Sequence, residues 1–471
     1  ANVSGPLSVC VSFDSRNNSH DFARIVADVL SANGIKVFIF NELHPVPLMS
    51  FSVRLKKATA GVMITASHNP KEYNGYKVFW SDGAQITAPV DKDIVAEVGK
   101  ITDPSQVKFK GNPDLIEEMG REIDEAYFQS VLPLTLSPES RGRHPELKIV
   151  YTPLHGCGVR IVPEALRRLG FVNVKSVAAQ QELNGDFPTV ASPNPEEPAA
   201  LKMAIDLADA EGADLVMGTD PDADRMGIAV RDNDGKMVLL NGNQTASMLT
   251  YYILRRWKET GKLDGTQYVV KTIVTTPLIA DIAKSFGVEC YDVLTGFKYI
   301  AEVVKRNEGR REFICGGEES FGFNVGEFVR DKDAPISCCM VAECAAWAAD
   351  RGLTLYQLLQ EIYKEYGYRK EGLVSVIRKG ITGAQEIQKI MADYRATPPK
   401  DLAGSPVVKA VDYSLPEKTG LPKSNVLQFF SEAGDVVTVR PSGTEPKIKF
   451  YFGAKGADAD AKIAALKEQF K

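Results

Sequence analysis

Four short stretches of the chain concentrate residues able to do chemistry. In Thr65-Ala66-Ser67-His68-Asn69-Pro70, followed by Tyr73, Asn74, Gly75 and Lys77, a serine stands beside an imidazole and near an ammonium. A serine hydroxyl is a weak nucleophile at neutral pH and needs a neighbouring base or cation, for which His68 and Lys77 are the local candidates. In Gly218-Thr219-Asp220-Pro221-Asp222-Ala223-Asp224-Arg225 the carboxylates alternate, a pattern that can converge on one hard cation and leave coordination open for a phosphate oxygen. It is not an EF-hand loop, because Arg225 and Arg231 stand where glycine and glutamate are needed.

The third stretch is Gly316-Gly317-Glu318-Glu319-Ser320-Phe321-Gly322, trailed by Arg330-Asp331-Lys332-Asp333. Glu318 and Ser320 point the same way if the segment is extended, which suits paired sugar hydroxyls. The fourth, Arg440-Pro441-Ser442-Gly443-Thr444-Glu445-Pro446, offers backbone N–H groups, two hydroxyls and a guanidinium as a cradle for a phosphate dianion. Each stretch alone has a plainer reading: a polar turn capped by Ser67, an exposed acidic turn, a glycine turn with solvated charges, and a hairpin loop. The chain has neither G-x-x-x-x-G-K-[ST] nor a strand-linked G-x-G-x-x-G, which withdraws the main sequence support for P-loop kinases and dinucleotide enzymes.

The elements that must position these groups alternate as short apolar runs and amphipathic helices. Strand material runs from Ser8 to Phe13, and Phe22, Ile25, Val26, Val29 and Leu30 then recur at helical spacing. Gly61 to Ser67, Asp214 to Asp220 and Glu312 to Glu318 share one form, an apolar run ending in small and polar residues. If they are equivalent strands of repeated units, each delivers its groups at its carboxyl end, where open α/β sheets place ligands. After Gly367 the pattern changes to strand, helix, four strand-like runs and a final helix. The expected fold class is therefore α/β: three repeated α/β domains with mixed sheets, plus a C-terminal α+β domain, around a central cleft. The expected domains are 1–141, 142–262, 263–370 and 371–471, carrying the serine, aspartate, glycine-glutamate and arginine-serine loops in turn.

At 471 residues the chain is too long for one hydrophobic core. Its 44% hydrophobic and 25% charged residues are ordinary globular composition. Lys plus Arg at 56 against Asp plus Glu at 61 leaves a net charge of −5, so no global basic field favours nucleic acid or an anionic membrane. Every long apolar run is broken by charge before the roughly 20 residues needed to cross a bilayer. The seven cysteines form no CxxC pair and are expected to be reduced, in a cytoplasmic protein.

Taken together and in order, the four motifs resemble the α-D-phosphohexomutase family, whose members include phosphoglucomutases and phosphomannomutases. The resemblance runs from near the N-terminus to about residue 455, and the fuller forms ITASHNPKEYNGYKVF and VRDKDA are most similar to its phosphoglucomutase-2-like branch. It implies that Ser67 carries the transferred phosphate, with His68 and Lys77 close by, and that Asp220, Asp222 and Asp224 bind Mg²⁺ together with that phosphoserine. It further implies that Arg225 and the loop of Thr295 and Lys298 approach substrate, and that Glu318 and Ser320 bind sugar hydroxyls. Lys332 would help to bind substrate phosphate, and Arg440, Ser442, Gly443 and Thr444 would hold the phosphate that does not react. Which of His68 and Lys77 is the general base stays open.

The implied reaction interconverts glucose 1-phosphate and glucose 6-phosphate, with glucose 1,6-bisphosphate as intermediate and activator; sugar phosphates are the expected partners, with neither nucleic acid nor membrane, and the oligomeric state stays open. Mannose or pentose phosphates are alternative substrates, a glucose 1,6-bisphosphate synthase is an alternative enzyme, and a sugar-phosphate-binding regulator is the alternative outside catalysis. Family members also carry a GTAGLRG-like segment ahead of the strand that begins here near Ser8. The sequence has none, so a longer natural chain is expected.

Overall fold

The computed structural model describes residues 5–378, 382–442 and 446–470. Three sheets follow one another, and each repeats the same device at its site-bearing edge. In the first, strand Ala60–Ile64 lies parallel to Ser8–Phe13 on one side and antiparallel to Tyr76–Trp80 on the other. In the second, Leu215–Thr219 lies parallel to Ile149–Thr152 and antiparallel to Met226–Arg231. In the third, Glu312–Gly317 lies parallel to Gln267–Thr272 and antiparallel to Phe323–Val325. The equivalence expected of the three apolar strands is thus present in the pairing. Each strand is buried along most of its length, which is why these runs read as nearly continuous apolar sequence rather than as alternation.

The fourth sheet is antiparallel throughout, ordered Arg369–Ile377, Lys447–Lys455, Val436–Pro441, Leu427–Ser431, Ser405–Asp412 and Asp401–Leu402. Helices Gly383–Ala396 and Ala459–Gln469 pack on it. The four-domain α/β architecture with mixed sheets expected from the sequence is the one present.

The first three units share one continuous core, whereas the fourth buries its own, around Met391, Val437, Phe450 and Phe470. The centre of the shared core is helix Ala334–Ala349, buried from Ala334 to Ala348. It starts at Asp333, whose carboxylate accepts from Ile336 N–H, with Pro335 in the first turn, where a missing N–H costs nothing. Helix Gly242–Glu259 opens on a capping box of Asn241 and Gln244. It follows the second sheet in sequence yet packs against helix Leu278–Ser285 and strand Glu312–Gly317.

One expected face is corrected. Helix Ser19–Ala32 buries Ser19, Ala23, Ala27 and Ser31, while Phe22 and Ile25 are exposed. Small residues let the helix lie close to its sheet, so the larger apolar side chains fall to its flank and outer side. None of the seven cysteines is paired, and among the described residues no helix is long and apolar enough to cross a membrane.

Candidate active site

In each of the three sheets, the loop that turns from the strand with one parallel and one antiparallel partner into its antiparallel neighbour carries candidate site residues. Each of these loops also contains one non-glycine residue in the left-handed region: Ser67 at φ 54°, Ala223 at 48° and Phe321 at 65°. Such conformations cost of order 1–3 kcal/mol and persist only where surrounding contacts fix them. Here the contacts are numerous. Ser67 N–H donates to Thr65 Oγ1 at 2.8 Å, and Thr65 Oγ1 donates to Asp222 Oδ2 at 3.2 Å. Asp224 and Arg225 N–H both donate to Asp220 Oδ1, at 3.1 and 3.0 Å. Two glycines permit close approach: a Cβ on Gly156 would lie 2.3 Å from Pro221 Cα, and one on Gly322 would lie 2.2 Å from Lys332 Cδ.

The first two loops meet. The Ser67 hydroxyl donates to Asp220 Oδ2 at 2.8 Å and lies 3.2 Å from His68 Nδ1. Asp220, Asp222 and Asp224 are buried, with ligand atoms within 4.8 Å of one another. Lys77 Nζ lies 2.8 Å from Asp222 and 3.6 Å from Asp224, and Lys332 Nζ lies 3.1 Å from Asp224. Burial and mutual repulsion push the Asp220 and Asp224 carboxyls upward. Asp222 is held below the usual carboxylate range despite its burial, because Lys77 donates to it. Burial opposes the charge on Lys77 and Lys332, yet the carboxylates facing them keep both ammoniums protonated well past their ordinary range.

The donor set fits a hard divalent cation. Asp222 Oδ1 and Asp224 Oδ1 are buried without a hydrogen-bond partner, a costly state that coordination to a cation would relieve. His68 is lowered to about 3, first by burial and then by the Arg225 charge. Neither basic candidate behaves as an ordinary base: the imidazole is neutral and weak, and the ammonium is protonated.

Beside this cluster lies a cleft of about 590 Å³ lined by loops of the first three units and by strands of the fourth sheet. His68 and Arg225 face it, together with Thr295, Lys298, Glu318, Ser320, Lys332 and Arg440. Arg225 donates to Glu196 at 2.7 Å, and Gly296 N–H, just before helix Phe297–Asn307, donates to Glu318 at 2.9 Å. The glycine-glutamate segment leaves its strand at Gly317 and turns, so Glu318 and Ser320 are not extended as expected, yet both still reach the cleft. On the opposite wall Arg440 Nη1 is 3.5 Å from the Tyr451 hydroxyl, and Ser442 N–H closes the hairpin on Lys447 O at 2.7 Å. Gly443 and Thr444 lie outside the described residues.

Family models for all four domains of phosphoglucomutase/phosphomannomutase match the chain: the three α/β/α domains over residues 2–105, 125–235 and 241–366, and the C-terminal domain over 377–468. The chain belongs to the phosphoglucomutase/phosphomannomutase family. It is 38% identical over 458 residues to a phosphoglucomutase of Staphylococcus epidermidis, covering 94% of this chain and 82% of that one. A phosphoglucomutase of Staphylococcus aureus is 36% identical over 467 residues, covering 96% and 83%. In fold it is similar to pp63/parafusin, a Paramecium phosphoglucomutase in its open form, with a TM-score of 0.73, 17% identity, and 99% and 86% of the two chains covered.

Several cleft residues escaped the sequence reading. Lys449, Tyr451, Glu196 and Glu319 all line it. Burial, then the charges of Lys447 and Arg440, lower Lys449, and burial beside Glu318 raises Glu319 to about 7. Lys449 alternates with apolar neighbours in a strand and so reads as its solvent face. Arg16 was also missed, although Asp14-Ser15-Arg16 directly follows a buried strand, as the aspartates do.

Proposed function

We propose that this protein is a phosphoglucomutase that interconverts glucose 1-phosphate and glucose 6-phosphate through a phosphoserine at position 67 and a glucose 1,6-bisphosphate intermediate. The observation that carries the reading is the hydrogen bond of Ser67 Oγ to Asp220, beside a cleft onto which His68, Arg225, Lys298, Lys332 and Arg440 face. Asp220, Asp222 and Asp224 would hold Mg²⁺, which would neutralise phosphate oxygens and sharpen the electrophilic character of phosphorus.

The chain's own residues do the rest. Phosphoryl transfer depends on positioning and on charge stabilisation. Lys77 and Lys332 carry fixed positive charge to the site of transfer, and Arg225 reaches the substrate beside them. The bond from phosphorus to Ser67 Oγ breaks as one forms to a sugar hydroxyl oxygen, whose proton is given up as the departing Ser67 oxygen takes one; the return transfer reverses this exchange and restores the phosphoserine from the other end of the sugar. Glu318 and Ser320 would orient hydroxyls, with Thr295 and Lys298 at the mouth. Arg440 and the Ser442-Gly443-Thr444 loop would grip the phosphate that is not reacting. Because that phosphate is on C1 in one half-reaction and on C6 in the other, a separate, tolerant cradle on the fourth unit suits the task. Sugar phosphates are the partners, and unpaired thiols are in keeping with a cytoplasmic setting.

The test is a coupled assay of glucose 6-phosphate formation from glucose 1-phosphate, with Mg²⁺ and then with chelator, beside mannose 1-phosphate and ribose 1-phosphate. Mg²⁺-dependent turnover with glucose favoured is the expected result. Preference for another sugar would reassign the substrate, and net bisphosphate synthesis from a second phosphoryl donor would reassign the reaction.

A further inference from the structure

Against the serine loop, and not among the residues that line the cleft, lies a guanidinium that the proposed chemistry does not touch. Arg16 is buried, with its side chain fully out of solvent beside that of Asp14. Arg16 Nη2 donates to Ser67 O and Asn69 O, both at 2.5 Å, and Nη1 donates to Pro70 O at 2.9 Å and Tyr73 O at 3.0 Å. Four carbonyls of one loop therefore converge on one side chain. Of these four, Pro70 O also accepts from the loop's own Tyr73 N–H at 3.1 Å; Arg16 is the donor common to all four.

The guanidinium is itself fixed on two sides. Asp14 Oδ2 lies 3.3 Å from Arg16 Nε, while Asp14 Oδ1 accepts from Arg16 N–H and from the Ser19 hydroxyl. Phe187, buried at φ 46° in a loop of the second unit, presents its ring 5.1 Å from the guanidinium carbon. That loop is seated against the first unit by the Ser192 hydroxyl, which donates to His68 O at 3.2 Å, and by Asn17 and Lys71, each 3.3 Å from Asp186.

We propose that Arg16 is a positioning residue for phosphoryl transfer: by holding the carbonyls of Ser67, Asn69, Pro70 and Tyr73 it fixes the Ser67 backbone at φ 54° and so aims the residue's oxygen at the aspartate cluster. Planarity is what the role requires. Two terminal nitrogens, each donating to two oxygens, serve four carbonyls, and a lysine ammonium offers only three donors from one point. Phe187 carries the clamp across to the second unit, so the serine loop and the aspartate loop are registered through Arg16 as well as through Ser67 itself. The inference rests on the proposed role of Ser67 as phosphoryl carrier.

The experiment compares wild type with Arg16→Lys and Phe187→Leu in the full chain, reading amide hydrogen exchange over residues 65–77 together with kcat and KM for glucose 1-phosphate. In Arg16→Lys, exchange in this segment is expected to rise at least tenfold while that of the helix over residues 334–349 is unchanged. kcat falls about 100-fold and KM stays within threefold. Phe187→Leu, a milder change that keeps a buried apolar side chain, moves both readouts in the same direction by a smaller factor. Unchanged exchange in the segment in both variants, or a loss confined to KM, overturns the proposal. General loss of protection across the chain in both variants also overturns it, since Arg16 would then serve the fold as a whole. Wild type without turnover contradicts the proposed function instead, and the exchange comparison still decides whether Arg16 positions the loop.

Discussion

Ser67 and the three aspartates were legible in the sequence because each follows a strand whose burial is written as unbroken apolar residues, so the polar residue after it has to sit at a strand end. Arg16 sits in the same position after its own strand, but its partners are carbonyls, and carbonyls leave no trace in residue identity. The aspartate triad makes the clearest prediction at this scale. Three buried carboxylates facing two ammoniums lose their repulsion when a divalent cation binds, so Mg²⁺ stabilises the native state by mass action, about 2.7 kcal/mol at a hundredfold excess over its dissociation constant. Thermal unfolding with Mg²⁺ and with chelator reads this as a rise in Tm, which Asp222→Asn largely abolishes. Lys77→Met removes charge from the site of transfer and lowers kcat about 100- to 1,000-fold, measured in the coupled assay with folding confirmed by circular dichroism.

Helix Ala334–Ala349 shows what elements add. Its Glu343, buried among apolar residues, accepts from the backbone N–H groups of Leu136 and Ser137 and from the Tyr252 hydroxyl, with Arg141 at 3.2 Å. Removing it strands those donors, so Glu343→Ala costs about 3 kcal/mol, read as a lower urea midpoint. At the helix start, burial lifts Asp333 to about 7, although Tyr127 donates to its Oδ1 at 2.7 Å. Its Oδ2 has no partner, the place for a proton. The native carboxyl holds that proton between roughly its ordinary pKa of 3.8 and 7, where the unfolded chain has lost it. Stability from this group is thus present at low pH and falls as pH rises across that window. Asp333→Asn, which keeps an N-cap side chain, removes this part of the slope in urea midpoints taken at pH 5 and pH 8. Sequence periodicity was a poorer guide to helix faces. Ser19–Ala32 turns Ala23 and Ala27 inward and leaves Phe22 and Ile25 outside, because closeness of packing, not hydrophobic bulk, selects the face there.

Across the whole molecule, three units share a core and the fourth does not. The fourth is joined to the third by narrower contacts: Gln428 donating to Ile273 O at 2.7 Å, Arg369 pairing with Asp281 at 2.6 Å, and a small apolar cluster of Ile273, Leu294, Tyr413 and Val426. The switch to an antiparallel sheet after Gly367 was readable in the sequence, whereas the fusion of the first three units was not, since it depends on helices packing onto sheets that are not their neighbours in sequence. A unit with its own core and the proposed phosphate cradle is expected to move when a ligand bridges it to the serine loop. Small-angle scattering should show a smaller radius of gyration with glucose 1,6-bisphosphate, and Arg440→Ala should remove that contraction while raising KM more than it lowers kcat.

The central claim is that Ser67 carries the phosphoryl group. Peptide-mapped mass spectrometry after incubation with glucose 1,6-bisphosphate, and again after a chase with glucose 6-phosphate, tests it directly. One phosphoryl group on Ser67, gained with the bisphosphate and exchanged onto sugar in the chase, is the predicted result. A protein that turns over glucose 1-phosphate while Ser67 stays unmodified at every time point would contradict the account.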